Sequence, residues 1–335
     1  MTAQGIYTLA NDVVYDQLVA LLNSIEVNVG AEIPICVIPF DHRIERVQAE
    51  ISNRSNVTFF DDRDSINRWE NFAQQVWDAH PDAQKKNLPR PPWGKGHHRK
   101  FIAFYGPFDK FVYYDADSLA MKPLTAMFNQ LNNYDFVFDD WEHRKPNATA
   151  ALDIEAIAQT GIYAEQQVRS HLHCSSFLGS KRGIFAEEEL GNLTEKLIGD
   201  REIAWVSRWW DDAFLFNYMT LRCERPFYNF TQSSDSRDRT GNCADADPFV
   251  NLNNVLYNEQ GHKPIHRIHY MNYPAISFTR LSQGEDVNIR YQDIFLYYRF
   301  LKEPEKRPVQ LKAPSFLTKT GRNLEKVVKK FEKFR

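Results

Sequence analysis

Short apolar runs alternate with stretches of helical periodicity along most of the chain. The runs of strand length lie at 5–10, 33–39, 57–60, 111–114, 134–138 and 264–274. Apolar residues recur at helical spacing in 13–25, 121–131, 181–197, 292–301 and 317–335. Asn11 and Asp12 precede the first helical stretch, and both are residue types that cap helices. The opening strand, helix, strand succession predicts an α/β layer with a ligand over the C-terminal end of the first strand.

Three polar stretches interrupt this alternation. Residues 61–95 end in a proline-rich segment, which predicts a short helical insertion around 69–77 followed by a mobile loop beside the site. Residues 97–104 begin with four basic or histidine side chains and predict an amphipathic helix. Because cations are unfavourable at a helix start, we expect an anionic ligand near it. Residues 233–254 are polar and predict a surface loop.

The apolar run 111–114 ends on two carboxylates, Asp115 and Asp117, separated by Ala116. In open α/β sheets ligands bind beyond the carboxyl ends of the strands, so both acids are expected at the mouth of a site. Alternate residues of an extended strand point to opposite faces, and Asp117 can join Asp115 only if the chain turns between them. A divalent cation would keep both carboxylates ionised, and hard oxygen ligands favour Mg²⁺ or Mn²⁺.

Composition excludes several classes of protein. With 335 residues, 43% of them hydrophobic, the chain can bury one large core or two modest ones. A net charge of -3 argues against non-specific nucleic-acid binding. The four cysteines have no Cys-x-x-Cys spacing, which favours reduced thiols over a disulfide framework or a zinc site. With neither a signal-peptide pattern nor a long apolar segment, we expect a cytoplasmic protein.

The segment 110–124, KFVYYDADSLAMKPL, resembles the metal-binding strand of glycogenin-like glycosyltransferases, which are retaining enzymes of the GT-A fold. The resemblance implies a mixed, mostly parallel sheet flanked by helices. It also implies that Asp115, Ala116 and Asp117 contact a nucleotide-sugar donor, with the two aspartates holding Mn²⁺ or Mg²⁺ against its diphosphate.

Two further segments resemble the donor site of this family. The strand and turn YTLANDVVY are similar to its uridine-binding element, which makes Thr8, Leu9, Asn11 and Tyr15 candidate nucleobase contacts. The family also carries a Lys or Arg on the helix before the Asp-x-Asp strand. Lys100 is the best match for that donor contact, and Arg99 is the next.

Two later stretches resemble the part of the family site that surrounds the sugar. Cys174-Ser175-Ser176 stands where the family has Asn-Ser-Gly, so Ser175 and Ser176 become candidate sugar contacts. The family motif Asp-Gln-x-x-Leu-Asn aligns with Asp212 and Asn217, or with Asp211 if the register slides by one residue. Either carboxylate could stabilise an oxocarbenium-like centre or position an acceptor hydroxyl.

The third metal ligand of the family is a histidine at the end of a late strand. His269 is the closest candidate and His266 the second. The Gly and Lys-Pro-Trp residues that follow this histidine in the family are absent here, so Asn272 and Tyr273 are the candidates to grip the diphosphate. Asp139 and Asp140, which follow the run 134–138, could orient substrate hydroxyls or cap a turn.

These observations predict a GT-A catalytic domain over residues 1–285 and a C-terminal helical segment over 286–335. By resemblance, the reaction is metal-dependent transfer of a hexose from a UDP-sugar to a glycan, lipid or protein hydroxyl, with retention. An inverting transferase, a phosphatase of the haloacid-dehalogenase type and a non-catalytic sugar-nucleotide-binding adaptor remain alternatives. The basic helix at 317–335 can lie on an anionic membrane surface or dock on the protein's own core.

Overall fold

The computed structural model describes residues 3–81, 83, 96–145, 152–206, 213–234, 241–245, 248–258 and 263–314. The strands are β1 (Gln4–Ala10), β2 (Ile35–Pro39), β3 (Val57–Phe59), β4 (Lys110–Asp115), β5 (Ser118–Ala120), β6 (Phe136–Phe138), β7 (Phe177–Lys181), β8 (Phe227–Asn229), β9 (Val250–Leu252), β10 (Val255–Tyr257) and β11 (Arg267–His269). The α-helices are α1 (Tyr15–Asn28), α2 (Glu45–Ser52), α3 (Arg63–Ala79), α4 (Thr125–Gln130), α5 (Ile154–Gln159), α6 (Glu165–His171), α7 (Glu187–Thr194), α8 (Ala213–Arg222), α9 (Ala275–Ser282) and α10 (Gln292–Arg299).

A seven-stranded sheet in the order β3-β2-β1-β4-β7-β6-β8 forms the centre of the molecule. Strand β7 runs antiparallel to both its neighbours, and the other adjacent pairs are parallel. The sheet is therefore mixed and mostly parallel, as the sequence predicted. The register pairs Leu9 with Asp115. The C-terminal ends of β1 and β4 consequently meet at one edge of the sheet, where ligands of such sheets bind.

The two faces of this sheet carry separate apolar layers because side chains alternate along each strand. In β4, Phe111 and Tyr113 belong to the layer that includes Trp69, whereas Val112 and Tyr114 belong to the layer that covers α1. Both layers are buried, so β4 is apolar and buried from Phe111 to Tyr114, as expected of a strand covered on both sides.

A second, two-stranded sheet pairs β5 with β11 and lies beside the first. Its apolar residues form a third buried cluster with the C-terminal helices, through residues such as Ile268, Phe278 and Phe295. The α10 helix also packs on α1, where the Asn23 side chain donates to the Tyr298 carbonyl at 2.7 Å. The division into units at residue 285 stays a prediction.

The structure corrects the sequence interpretation of 97–104. Residues Arg99–Tyr105 form a 3₁₀ helix, and Lys100 to Phe104 are all buried. The segment is enclosed on all sides because it packs between α3 and the sheet, so it is not amphipathic.

Other differences concern the bounds of elements. Residues 118–120 pair as β5, and the helix predicted at 121–131 begins only at Thr125. Lys181 ends β7, so the helix predicted at 181–197 begins at Glu187. The stretch 264–274 contains three strand residues, and the predicted loop 233–254 contains β9. In each case long-range strand pairing, rather than local pattern, sets the boundary.

Two predicted segments lie outside the described residues: most of the loop after 77 and the basic helix at 317–335. Among the helices that the structure describes, none is long and apolar enough to cross a membrane.

Candidate active site

The acidic pair lies at the junction of the two sheets. Asp115 ends β4, the chain turns at Ala116 and Asp117, and β5 begins at Ser118. This turn confirms the requirement derived from strand geometry, because it brings both carboxylates to one side. The backbone also anchors the turn on two neighbours: the Asp115 amide donates to the Ser176 carbonyl at 2.9 Å, and the Tyr270 amide donates to the Asp117 carbonyl at 3.0 Å.

Asp115, Asp117 and His269 form a group in which one potential ligand atom from each residue lies within 4.8 Å of the others. The His269 Nε2 atom is 3.3 Å from Oδ1 of Asp117. The pairing of β5 with β11 explains this position, because it sets His269 opposite Ser118. His266 lies elsewhere: its Nδ1 atom is 2.7 Å from Oδ2 of the fully buried Asp139. Of the two candidate histidines, His269 is thus the one beside the acidic pair.

Lys100, Tyr113 and His269 lie against the acidic pair. The Lys100 Nζ atom lies 3.1 Å from Oδ1 of Asp115 and 3.4 Å from the Ser175 carbonyl oxygen. The Tyr113 hydroxyl donates to the same Asp115 oxygen at 2.8 Å. Burial by itself would raise the pKa of Asp117, but the neighbouring His269 outweighs it, and the pKa lies below its usual value. Burial likewise lowers the pKa of His269, yet the Asp117 carboxylate raises it overall.

The chemistry of these residues fits a divalent cation. Two carboxylates and one imidazole supply a mixed oxygen and nitrogen ligand set, which suits Mn²⁺ and also accommodates Mg²⁺. The two aspartates are close enough to repel each other when both are ionised, and a metal ion between them would remove that repulsion. The residues that would hold the ion are Asp115, Asp117 and His269.

A cavity of about 300 Å³ opens beside the acidic pair at the C-terminal ends of β1 and β4. This first cavity is lined by Leu9, Ala10, Asn11, Val13, Val14, Gln17, Phe40, Arg43, His97, Asp115, Ala116, Asp117, Tyr273 and Ala275. It combines apolar walls with a few polar groups, as small-ligand sites do. It lies at the end of the first strand, which is where the sequence analysis expects a ligand.

The candidate nucleobase contacts lie in different surroundings. Leu9 and Asn11 line the first cavity, and the Asn11 side chain also caps the following turn by accepting from the Val13 amide. Thr8 is fully buried beneath the cavity. Tyr15 points towards α2 instead, where its hydroxyl donates to Glu50 and its ring lies 4.0 Å from the Arg46 guanidinium.

The two residues predicted to contact the diphosphate, Asn272 and Tyr273, also lie in different surroundings. Tyr273 lines the first cavity, whereas the Asn272 side chain donates to Asp245. His97, the first residue of the basic stretch near which an anionic ligand is expected, lines this cavity as well. Arg43 also lines it, and only the folded chain identifies Arg43, because it lies in the connection before α2 and carried no motif in the sequence.

A second cavity of about 300 Å³ is lined in part by His269. It is lined by Asp140, Trp141, Glu142, Lys145, Cys174, Asn242, Cys243, His269 and Met271. Burial raises the pKa of Asp140 to about 7, although the carboxylate accepts from the backbone amides of Glu142 and Cys174. Asn242 and Cys243 arrive here because their backbone pairs with that of His269, a long-range contact without a sequence signal.

The remaining predicted residues have structural contacts as well. The Ser176 hydroxyl accepts from Arg267 at 2.7 Å. The Asn217 side chain accepts from the His173 amide at 2.9 Å and donates to the His173 carbonyl at 2.7 Å, so it ties α8 to the segment before β7. Asp211 and Asp212 lie outside the described residues, immediately before α8.

No protein-family model matches the sequence, and no curated protein matches it. The fold is similar to that of the WbbM bifunctional glycosyltransferase, with a TM-score of 0.54 and 14% identity over 92% of this chain and 52% of WbbM. The chain thus spans about half the length of that protein. The galactosyltransferase LgtC, solved with donor and acceptor sugar analogues, gives a TM-score of 0.48 and 13% identity over 82% of this chain and 94% of LgtC.

A third similar structure is mouse xyloside xylosyltransferase 1, with a TM-score of 0.48 and 8% identity over 67% of this chain and 83% of that one. The mixed, mostly parallel sheet flanked by helices is the GT-A architecture that this chain shares with WbbM. At 14% identity the likeness to WbbM establishes the fold and leaves the chemistry to be argued from the residues.

Proposed function

We propose that this protein is a metal-dependent glycosyltransferase that moves a hexose from a nucleotide sugar, specifically a UDP-sugar, to a hydroxyl acceptor with retention. The observation that carries this proposal is the grouping of Asp115, Asp117 and His269, of which the two aspartates line the first cavity. A nucleotide in that cavity would present its diphosphate to the three side chains. The glycogenin-like character of the segment 110–124 supports the same assignment.

The donor would occupy the first cavity. Leu9 and Asn11 would face its nucleobase, with Thr8 and Tyr15 as the further proposed contacts from the same turn. Lys100 and Ala116 would lie along the diphosphate, and Ser175 and Ser176 would border the sugar. The cavity volume of about 300 Å³ falls at the lower end of the range for small-molecule sites.

A bound Mn²⁺ or Mg²⁺ would neutralise the charge that develops on the departing diphosphate. Asp115, Asp117 and His269 are the residues proposed to hold it. Lys100 lies next to Asp115 and would add a second positive charge near the diphosphate. This arrangement requires no general acid for the leaving group.

The second cavity is proposed as the acceptor site because His269, which lies beside Asp117, also lines this cavity. Its Asp140 and Glu142 carboxylates can accept hydrogen bonds from acceptor hydroxyls. Trp141 offers an apolar ring face of the kind that packs against sugars. Asp211 and Asp212 remain the proposed catalytic carboxylates, and the register between them is open.

The proposal extends to the setting of the enzyme. We infer a cytoplasmic protein whose basic segment 317–335 contacts an anionic membrane surface, through an apolar stripe and the surrounding lysines. Residues 1–285 would form the catalytic unit. Acceptors in this setting include glycans, lipids and proteins.

The experiment that tests the proposal is UDP release from a panel of UDP-sugars, with and without Mn²⁺. We expect turnover of one donor that requires the metal and is lost in Asp117→Ala. The matched control is Asp200→Ala, because Asp200 is an exposed aspartate outside both cavities. The anomer formed in the transfer reaction then distinguishes retention from inversion.

The absence of nucleotide binding with either metal would refute the transferase assignment. Binding of UDP without turnover, in the presence of candidate acceptors, would instead identify a sugar-nucleotide-binding adaptor. Metal-dependent turnover that Asp117→Ala leaves intact would show that the reaction occurs elsewhere in the protein.

A further inference from the structure

Arg267 is a buried cation directly behind the metal-binding group. Its side chain is 1% exposed, and its guanidinium lies 4.7 Å from the centre of the Phe177 ring. One nitrogen, Nη2, donates to the Ser176 hydroxyl at 2.7 Å. Among the described residues, Nε and Nη1 have no hydrogen-bond partner. A buried guanidinium with a single partner is an unfavourable choice for stability alone.

The contacts of Arg267 connect the two sheets that form the metal-binding group. Arg267 and His269 lie two residues apart on β11, which belongs to the two-stranded sheet, and therefore share one face of that strand. Ser176 and Phe177 belong to the β7 side of the seven-stranded sheet. The Ser176 carbonyl in turn accepts from the Asp115 amide. One chain of contacts thus runs from the strand of His269 to the backbone of Asp115.

Electrostatics alone would assign Arg267 the opposite role. A fixed positive charge near the site repels a second cation, so its removal should strengthen metal binding. A residue that holds the ligands at the correct separation has the reverse effect, because its loss lets the two sheets shift. Outer residues that orient metal ligands commonly change metal affinity by roughly 10–100-fold.

We propose that Arg267 is a positioning residue that holds His269 at its distance from Asp115, and thereby sets the affinity of the centre for Mn²⁺. The inference rests on the metal-binding group in the proposed function. In this proposal, the hydrogen bond from Arg267 to Ser176 holds β11 in place against β7. Arg267 itself contacts neither the metal nor the substrate.

The test measures Mn²⁺ binding to the full chain by titration calorimetry, without nucleotide. In Arg267→Met, which keeps a shorter unbranched side chain but removes the guanidinium with its charge and hydrogen bond, we expect roughly 10–100-fold weaker binding. Thermal unfolding of the same sample, recorded without metal, shows whether the variant is folded. The matched control is Arg299→Met, because Arg299 is also buried, stacks on an aromatic ring and pairs with Asp16, away from the metal-binding group.

A second variant keeps the test decisive if Arg267→Met does not fold. Ser176→Ala removes the hydroxyl that accepts from Arg267 and that also contacts the Cys174 thiol, and it should likewise weaken Mn²⁺ binding. The double variant should bind Mn²⁺ with about the affinity of the more impaired single variant. The two losses should not add, because both changes break the same connection. Arg267→Lys keeps a donor that can reach Ser176 and should recover part of the affinity.

The outcomes separate this inference from the proposed function. Absence of Mn²⁺ binding to the wild-type chain would remove the metal-dependent mechanism itself. If the wild type binds Mn²⁺ and a folded Arg267→Met binds it equally well or more tightly, the positioning role is wrong and the charge acts only by repulsion. Equal losses in Arg267→Met and Arg299→Met, or additive losses in the double variant, would also overturn it.

Discussion

The Lys100 ammonium lies 3.1 Å from Oδ1 of Asp115 and is almost completely buried, so a protein cation already occupies one side of the metal-binding group. This pair joins the 3₁₀ segment before β4 to the end of β4 itself. A metal ion that binds Asp115 must share the carboxylate with Lys100. Because of this pair, we expect replacement of Lys100 to change the affinity for the metal and the affinity for the donor in opposite directions.

Lys100→Met is expected to tighten Mn²⁺ binding in the absence of nucleotide by about tenfold. At an effective dielectric constant of about 20, unit charges about 4 Å apart interact by about 4 kcal/mol, and a tenfold change needs only about 1.4 kcal/mol. The same variant should raise the KM for the donor, because the ammonium beside the diphosphate is lost. Calorimetry and steady-state kinetics measure the two effects.

Lys110→Met is the control for this prediction, since Lys110 lies at the opposite end of β4 and contacts Asn132. It should leave both quantities unchanged. Weaker Mn²⁺ binding in Lys100→Met would contradict the competition and show that Lys100 supports the metal site. Lys100→Met and Arg267→Met are therefore expected to move Mn²⁺ affinity in opposite directions, although each removes one positive charge.

Trp141→Ala tests the second cavity as the acceptor site. Loss of the ring should lower kcat/KM for transfer by roughly tenfold, which corresponds to an aromatic packing contribution of about 1.4 kcal/mol. Hydrolysis of the donor by water should continue at the wild-type rate, because Trp141 does not line the first cavity. Trp141→Phe should recover much of the transfer. Equal losses of hydrolysis and transfer would place the acceptor elsewhere.

His173 makes the stability of the fold depend on pH. The imidazole is fully buried, its Nε2 atom is 2.7 Å from the Thr220 hydroxyl, and burial lowers its pKa to about 3. Between about pH 3 and 6.5 the unfolded chain takes up a proton at this histidine and the folded chain does not. The contribution of His173 to the free energy of unfolding is therefore fully present above pH 6.5 and is lost as the pH falls. The loss is about 2 kcal/mol at pH 5.

His173→Phe keeps a ring on Phe138, which stacks on the imidazole at 3.9 Å, and removes this titration. The difference in the free energy of unfolding between the variant and the wild type should therefore be about 2 kcal/mol more favourable to the variant at pH 5 than at pH 7. The carboxyl group of Asp140 has the opposite effect on the pH dependence of stability. Because its pKa is raised to about 7, its contribution to the free energy of unfolding is lost as the pH rises from 4 towards 7. Urea unfolding at both pH values measures the difference. An unchanged pH dependence in the variant would contradict the prediction.

Local sequence was sufficient for the centre of the site. The apolar run of β4 followed by Asp115, Ala116 and Asp117 predicts a buried strand, a turn and a paired carboxylate, and all three features depend on neighbouring residues. The same holds for Asn11, whose capping role follows from its place before a helical stretch. The general architecture also follows, because strand and helix periodicities are properties of short windows.

The identity of the proposed third ligand depends on the register between distant strands. His266 and His269 stand three residues apart, and the sequence favours neither by geometry. In the structure the pairing of β11 with β5 sets His269 opposite Ser118 and next to Asp117, while His266 turns to Asp139. A shift of one residue would exchange the faces of the strand.

The sequence by itself thus determined the class of fold and the acidic turn, because both follow from residue types and spacing within short stretches of the chain, and it predicted the ligand chemistry from the same residues. The tertiary structure alone decided which histidine joins the aspartates, how Lys100 and Arg267 are placed around them, and which residues line the second cavity. These contacts join segments that are far apart in the chain. They arise from sheet pairing and core packing, which local periodicity does not encode.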